Sequence, residues 1–246
     1  MRAIAVIPAR GGSKRIPRKN IVDFFGRSLI GWTIQAAIES KEFARVVVST
    51  EDPEIAEVAV AEGAECPFLR YEHYDDFSSA SEATISTVRQ AQDHFGETYE
   101  IAAQLMATCP LRSATQISDS FEAYRKKGRT FQISCFEYGW MNPWWAMRLS
   151  KDGVGVRLYP DGQGKRSQDL ERLYCPTGAL WIARTSALLA QGTFYGEPLR
   201  YEPIDWTSAV DIDTLDDLQM AKALYLLRRQ SNPNGSRAET DFGGDS

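Results

Sequence analysis

Histidine is nearly missing from this chain: its 246 residues contain two, His73 and His94. That disfavours a histidine-centred metal site or a Ser-His-Asp triad, and both residues read as surface positions. Cysteine is also sparse. Cys66, Cys109, Cys135 and Cys175 are widely scattered without CxxC spacing, which suits reduced thiols in a cytoplasm better than disulfides or a zinc site. No apolar run approaches the length that spans a bilayer, and MRAIAVIPAR passes from Met straight into a strand pattern without a signal-peptide layout. A basic excess is lacking too: 28 Lys and Arg stand against 33 Asp and Glu, a net charge of −5, which argues against a general nucleic-acid binder.

What remains is ordinary for a globular protein, with 43% hydrophobic and 25% charged residues. The length suits one compact α/β domain with a large core. Arg2 to Pro8 is a short apolar run ending in proline, hence a buried strand. Leu29 to Ser40 has apolar residues at helical spacing, and the β-branched stretch Ala44 to Thr50 reads as a second strand. Asp52-Pro53 then opens a helix that stops at Gly63. The rhythm continues with a helix over Ser81 to Phe95, a strand over Ile101 to Ala107, a helix over Ser113 to Lys127 and a strand over Thr130 to Phe136. Such alternation predicts an α/β fold, a mostly parallel twisted sheet with helices on both faces. From about 137 to 174 the pattern breaks into an aromatic, polar stretch with a hairpin turning at Lys151-Asp152-Gly153. This predicts a small inserted hairpin used for substrate closure or dimerisation. Gly178 to Ala183 returns to strand and Thr214 to Arg229 forms a closing helix. This outline is thus one domain over 1–230, followed by a tail over 231–246 whose Gly, Ser, Asn and Asp predict disorder.

Between the first strand and the first helix lies ARGGSKRIPRKN, residues 9–20. It matches neither GxxxxGK[ST] nor GxGxxG, so the Walker and dinucleotide readings lose support. Gly11 and Gly12 let the backbone approach a ligand and turn its N–H groups inward as an anion nest. Five of the ten residues from Arg10 to Lys19 are cationic. That density at the carboxyl end of a strand, where open α/β sheets bind ligands, suits a polyphosphate. A solvated basic loop is the plainer alternative.

IPARGGSKRIPRKNI resembles the signature of the bacterial acylneuraminate cytidylyltransferases, and its spelling is especially like the branch that activates pseudaminic or legionaminic acid. The resemblance reaches to about Leu226. It implies a nucleotide-diphospho-sugar transferase fold, dependence on Mg²⁺, a homodimer, and transfer of CMP from CTP to an acidic nine-carbon (nonulosonic) sugar. It further implies that Arg10, Ser13, Lys14 and Asn20 hold the CTP triphosphate. Arg70 and Thr84 align with positions that meet the cytidine.

Three later segments carry the same resemblance. In VDIDT, Asp211 and Asp213 lie at i and i+2 on an extended segment and so point the same way. Two such carboxylates suit Mg²⁺, although Asp213 is equally placed to cap the helix from Thr214. With Arg10 and Lys14, Asp211 completes the implied catalytic set. Arg166, Gln168 and Asp169 belong to RSQDL, similar to the family's RxQDL, where an arginine fork suits a carboxylate or phosphate and the other two suit hydroxyls. LMATCPLR resembles LQPTSPLR, with Met106 where sialate enzymes carry Gln, and Thr177 stands where relatives read Asn. Trp140, Trp144 and Trp145 read as packing or dimer contacts before a sugar-pocket wall. Activation of an eight-carbon Kdo-like acid, or a catalytically silent protein of the same fold, are the alternatives.

Overall fold

The computed structural model describes residues 1–72 and 79–231; His73 and all of the predicted tail beyond Ser231 lie outside them. In chain order the elements begin with β1 (Ala3–Pro8), a small hairpin of β2 (Asp23–Phe24) and β3 (Arg27–Ser28), α1 (Leu29–Ser40), β4 (Arg45–Ser49), α2 (Pro53–Ala61) and α3 (Ala80–Phe95). They continue through β5 (Ile101–Gln104), α4 (Ala114–Lys126), β6 (Phe131–Glu137), the hairpin β7 (Met147–Leu149) and β8 (Gly155–Arg157), β9 (Tyr174–Arg184), α5 (Thr185–Gln191), β10 (Leu199–Pro203) and α6 (Leu215–Ser231).

Six strands form one sheet in the order β10-β6-β9-β5-β1-β4. β1 pairs in parallel with β4 and β5, and β10 with β6, while β9 runs antiparallel to both its neighbours. The sheet is therefore mixed but mostly parallel. Its two faces follow from the period-two pleat of β1. Ala3, Ala5 and Ile7 join one cluster with Ile30 and Ile34 of α1, Ile55 of α2, and Ile117 and Phe121 of α4. Ile4 and Val6 join another with Ile85 and Val88 of α3 and Leu188 of α5. Helices thus cover both faces, as the alternation predicted.

Helix starts are set by local chemistry. The Ser28 side chain accepts from Gly31 N, Asp52 accepts from the Glu54 and Ile55 amides ahead of Pro53, and Ser79 with Glu82 and Ser113 with Gln116 form capping boxes. A third cluster matters most for the site. Leu218 and Ala221 of α6 pack with Ile16, Phe24, Leu29, Leu111, Val210 and Ile212, and Phe25 stacks on Tyr225 with centroids 4.4 Å apart. This packing carries the VDIDT segment against the glycine loop.

Two expectations are corrected here. β9 starts at Tyr174 rather than Gly178, because residues 174–176 pair with Cys135, Phe136 and Glu137 beyond an irregularity in the β6 register; backbone pairing makes a strand of residues whose side chains read as loop. α5 and the edge strand β10 were not predicted. The inserted hairpin is found, turning at Gly153 with φ +86°. No helix among the described residues is long and apolar enough to cross a membrane.

Candidate active site

The glycine loop leaves β1 at Pro8 and is fixed along its length. Ala9 N donates to Ser49 O at 2.9 Å, Ser13 N to Gly11 O at 2.9 Å, and buried Asn20 donates from Nδ2 to Arg10 O at 2.9 Å. Arg18 adopts the left-handed region (φ 56°) and ion-pairs with Asp52 and Glu54 at the start of α2. Lys19 donates from Nζ to Ile212 O at 2.8 Å and to Asp213 Oδ1 at 2.9 Å, while Arg15 lies 3.0 Å from Asp213 Oδ2. The basic loop is therefore bolted to an acidic ledge on one side and to VDIDT on the other.

Between them opens a cavity of about 460 Å³ lined by Arg10, Ser13, Lys14, Asn20, Met106, Asp211 and Asp213, among others. Residues from three separate sequence motifs thus face one space. A second cavity of about 390 Å³, lined by Cys135, Tyr174, Pro176, Tyr201 and Pro203, carries no charged side chain, so charged chemistry belongs to the first.

Two carboxylates two residues apart differ sharply. Asp211 is solvent-accessible from the cavity but closely surrounded by protein, and this desolvation raises its pKa, with Asp213 and Asp217 adding repulsion against a lowering hydrogen bond from Thr108 and the charge of Lys19. For Asp213, partial burial raises the pKa, but Lys19 and Arg15 outweigh it and the net shift is downward. Asp213 does not cap α6. Thr214 does: its Oγ1 accepts from Asp217 N at 3.3 Å while Asp217 Oδ2 accepts from Thr214 N at 2.7 Å.

Several predicted site residues lie elsewhere. Gly12 sits exposed on the loop, and the Gly11 amide does not point into an open anion nest: it donates to Glu51 Oε1 at 2.7 Å. The bare Cα of Gly11 serves a different approach, since a Cβ there would meet Asp52 Oδ2 at 2.3 Å. Arg70 is buried behind the loop against Ser49 and Glu51. Thr84 is fully buried and donates to Gln104 Oε1 at 2.8 Å, and Gln104 Nε2 in turn lies 3.9 Å from Met106 Sδ. Neither Arg70 nor Thr84 lines the cavity. Arg166, Gln168 and Asp169 are exposed on the segment between β8 and β9, where Arg166 and Asp169 pair at 2.8 Å, and they do not line it either. Thr177 is committed to the backbone, accepting from Ala179 N at 3.3 Å and donating to Ala209 O at 3.1 Å. Trp144 packs edge-on against Tyr159, whereas Trp140 is exposed.

Sequence reasoning gave no individual role to Arg15, Lys19, Glu51 or Thr108. Arg15 and Lys19 were visible as loop charges, but their carboxylate partner lies almost two hundred positions away. Thr108 was visible only as part of LMATCPLR.

Residues 4–159 match the family model described as cytidylyltransferase. The chain is 32% identical over 232 residues to the pseudaminic acid cytidylyltransferase of Campylobacter jejuni, covering 94% of this chain and 99% of that one. It is 31% identical over 242 residues to the CMP-N,N'-diacetyllegionaminic acid synthase of Legionella pneumophila, with the same coverage. Among solved structures, the CMP:2-keto-3-deoxy-manno-octonic acid synthetase complexed with CTP superposes with a TM-score of 0.68 over 93% of this chain and 100% of that one; at 16% identity it shows a shared fold. A basic glycine loop, a pair of aspartates lining the same cavity and matches along nearly the whole chain lead to one assignment: the chain belongs to the cytidylyltransferase family and is a nucleotidyltransferase.

Proposed function

We propose that the chain transfers CMP from CTP to the anomeric hydroxyl of an acidic nine-carbon sugar and releases pyrophosphate. The observation that carries this reading is the cavity itself, whose lining brings Arg10, Ser13 and Lys14 of the glycine loop together with Asp211 and Asp213 of VDIDT. The hydroxyl attacks the α-phosphorus in line, and Arg10 and Lys14 stabilise the charge that gathers on the leaving pyrophosphate. The relatives named for pseudaminic and legionaminic acids support a nonulosonic acceptor.

Mg²⁺ fits the donor set. Asp211 is a carboxylate crowded by Asp213 and Asp217, and a cation there would relieve that repulsion. No group of three or more His, Cys, Asp or Glu residues suited to a metal occurs among the described residues, so one or two carboxylates with nucleotide oxygens and water would form the shell, a pattern magnesium accepts. Asp211 is the favoured ligand, because both oxygens of Asp213 are engaged by Lys19 and Arg15. Bound there, Mg²⁺ would neutralise phosphate charge.

Met106 shapes the acceptor side. It lines the cavity, and its thioether covers the buried amide of Gln104. An acceptor with a deoxygenated or methylated position meets that surface without losing a hydrogen bond. The test is a panel of N-acetylneuraminic, legionaminic, pseudaminic and Kdo acids with CTP and Mg²⁺, read by the mass of the CMP product. A nine-carbon product is expected; turnover of Kdo alone overturns the reading.

Homodimerisation belongs to the same proposal. The β7–β8 hairpin exposes Met147, Leu149, Val154 and Val156, with Trp140 and Met141 nearby, and a two-stranded hairpin of three-residue strands is not stable uncovered. Light scattering is expected to give twice the chain mass, and Leu149→Glu with Val156→Glu to give the single-chain mass. A wild-type protein of single-chain mass refutes it. A cytoplasmic location accompanies this reading, in keeping with four cysteines that are all free.

A further inference from the structure

The junction between β4 and α2 carries three acids, Glu51, Asp52 and Glu54, and all three reach the basic side of the cleft. Asp52 and Glu54 hold Arg18. Glu51 does something different: one carboxylate oxygen accepts the Gly11 N–H at 2.7 Å and the other lies 3.3 Å from Arg70 Nη2.

Arg70 is 5% exposed. Its Nη1 donates to Ser49 O and Oγ at 3.3 and 3.2 Å, and its Nε has no hydrogen-bond partner among the described residues. Burial lowers its pKa, Glu51 opposes that, and Arg10 adds to it. One carboxylate thus sets the first glycine peptide of the loop and the position of a buried guanidinium close to Arg10. Asp52 fills the space a Cβ at Gly11 would take, its Oδ2 lying 2.3 Å from that position.

A negative charge beside a polyphosphate site weakens anion binding by repulsion. If charge were its whole effect, removing it would tighten nucleotide binding. Its two directed contacts argue for the opposite sign.

We infer that Glu51 is a positioning residue for the nucleotide: through Gly11 and Arg70 it presents the phosphate loop and the buried arginine as one unit. The inference rests on the CTP reading above, which supplies the probe. Calorimetric titration of CTP with Mg²⁺ into wild type, Glu51→Gln, Arg70→Lys and the double variant tests it. Gln keeps the size but turns one acceptor into a donor facing Gly11 N–H or Arg70. Each single change is expected to weaken CTP about tenfold, the scale of one charge-assisted hydrogen bond, and the double variant to be no more than about threefold weaker than the worse single. An additive, roughly hundredfold loss in the double variant, or unchanged or tighter binding in Glu51→Gln, overturns the coupling. Glu51→Asp keeps the charge and shortens the reach, so it is expected to weaken CTP as Gln does; wild-type affinity there also overturns the inference, and this variant decides the matter if Glu51→Gln melts early. A wild-type protein that binds no CTP removes the functional reading itself, an outcome distinct from a normal wild type with additive variants.

Discussion

Asp211→Asn is expected to abolish pyrophosphate release from CTP and the acceptor acid, by at least about a thousandfold, while leaving the protein as stable as wild type or slightly more so. The loss follows from the place of Asp211 in the lining of the cavity that Arg10 and Lys14 also line. An amide cannot supply the charge that a hard cation needs, and losing metal-assisted charge neutralisation costs several kcal/mol at the transition state, with each 1.36 kcal/mol a factor of ten in rate. The stability half follows from the raised pKa. Desolvation, and repulsion from Asp213 and Asp217, raise it against the hydrogen bond from Thr108 and the charge of Lys19. A carboxylate whose pKa is higher in the folded than in the unfolded state detracts from stability as pH rises through that range, and near neutrality the whole of that cost is present. Asn keeps the shape and removes the cost. Pyrophosphate release and the melting temperature at pH 7 check the two halves together. Retained turnover sinks the metal assignment. Lost turnover with a melting temperature lowered by more than a few degrees means instead that Asp211 holds the structure, through Thr108 or Lys19.

Parts of this site could be read before any coordinates because they are local. Asp52-Pro53 gives a helix start, the apolar run from Arg2 to Pro8 gives a buried strand, and five cations around two glycines give an anion-seeking loop. All three depend on neighbours in sequence: α2 starts at Pro53, β1 is buried, and Arg10, Lys14, Arg15 and Lys19 of the loop line the cavity. What was not legible depends on pairing across the chain. β10 is an exposed edge strand without a buried face, so no alternation marks it. The start of β9 exists because β6 lies beside it. Asp213 reads as a helix cap until Lys19 and Arg15 arrive from the other end of the molecule, and Thr214 is seen to do the capping. Gly11 reads as a ligand-facing glycine until Asp52 and Glu51 close on it. Arg166, Gln168 and Asp169 show the reverse limit: a motif resemblance named them, yet they stand on the exposed segment before β9, and the contacts seen are between Arg166 and Asp169. In each case residue type gave the chemistry and long-range packing decided its partner.

The cations of the glycine loop lead to the last expectation. Lys19, Arg15 and Arg18 each hold a carboxylate that fixes the loop, so replacing any of them disturbs loop geometry along with charge. Lys14 is exposed on the same loop and lines the cavity, and the loop on either side of it is held by Asn20 on Arg10 O, by Arg18 on the α2 acids and by Lys19 on Asp213. Lys14→Ala therefore removes a cavity-lining cation while these contacts of the loop remain. Charge on the departing pyrophosphate is larger in the transition state than in bound CTP, so a cation aimed at it acts mainly on kcat. The expected result is a fall in kcat of about 10²–10³-fold, with the Kd for CTP changed less than about tenfold. Titration calorimetry with CTP and steady-state kinetics on the same preparation separate the two. If the Kd rises by as much as kcat/KM falls and kcat is unchanged, Lys14 binds the ground state and transition state equally, and its place in the catalytic set is wrong. Lys14→Arg adds a second reading: it restores the charge but spreads it over a planar fork, so recovery of most of the lost kcat would mean that position and charge suffice, and little recovery that a compact ammonium is needed.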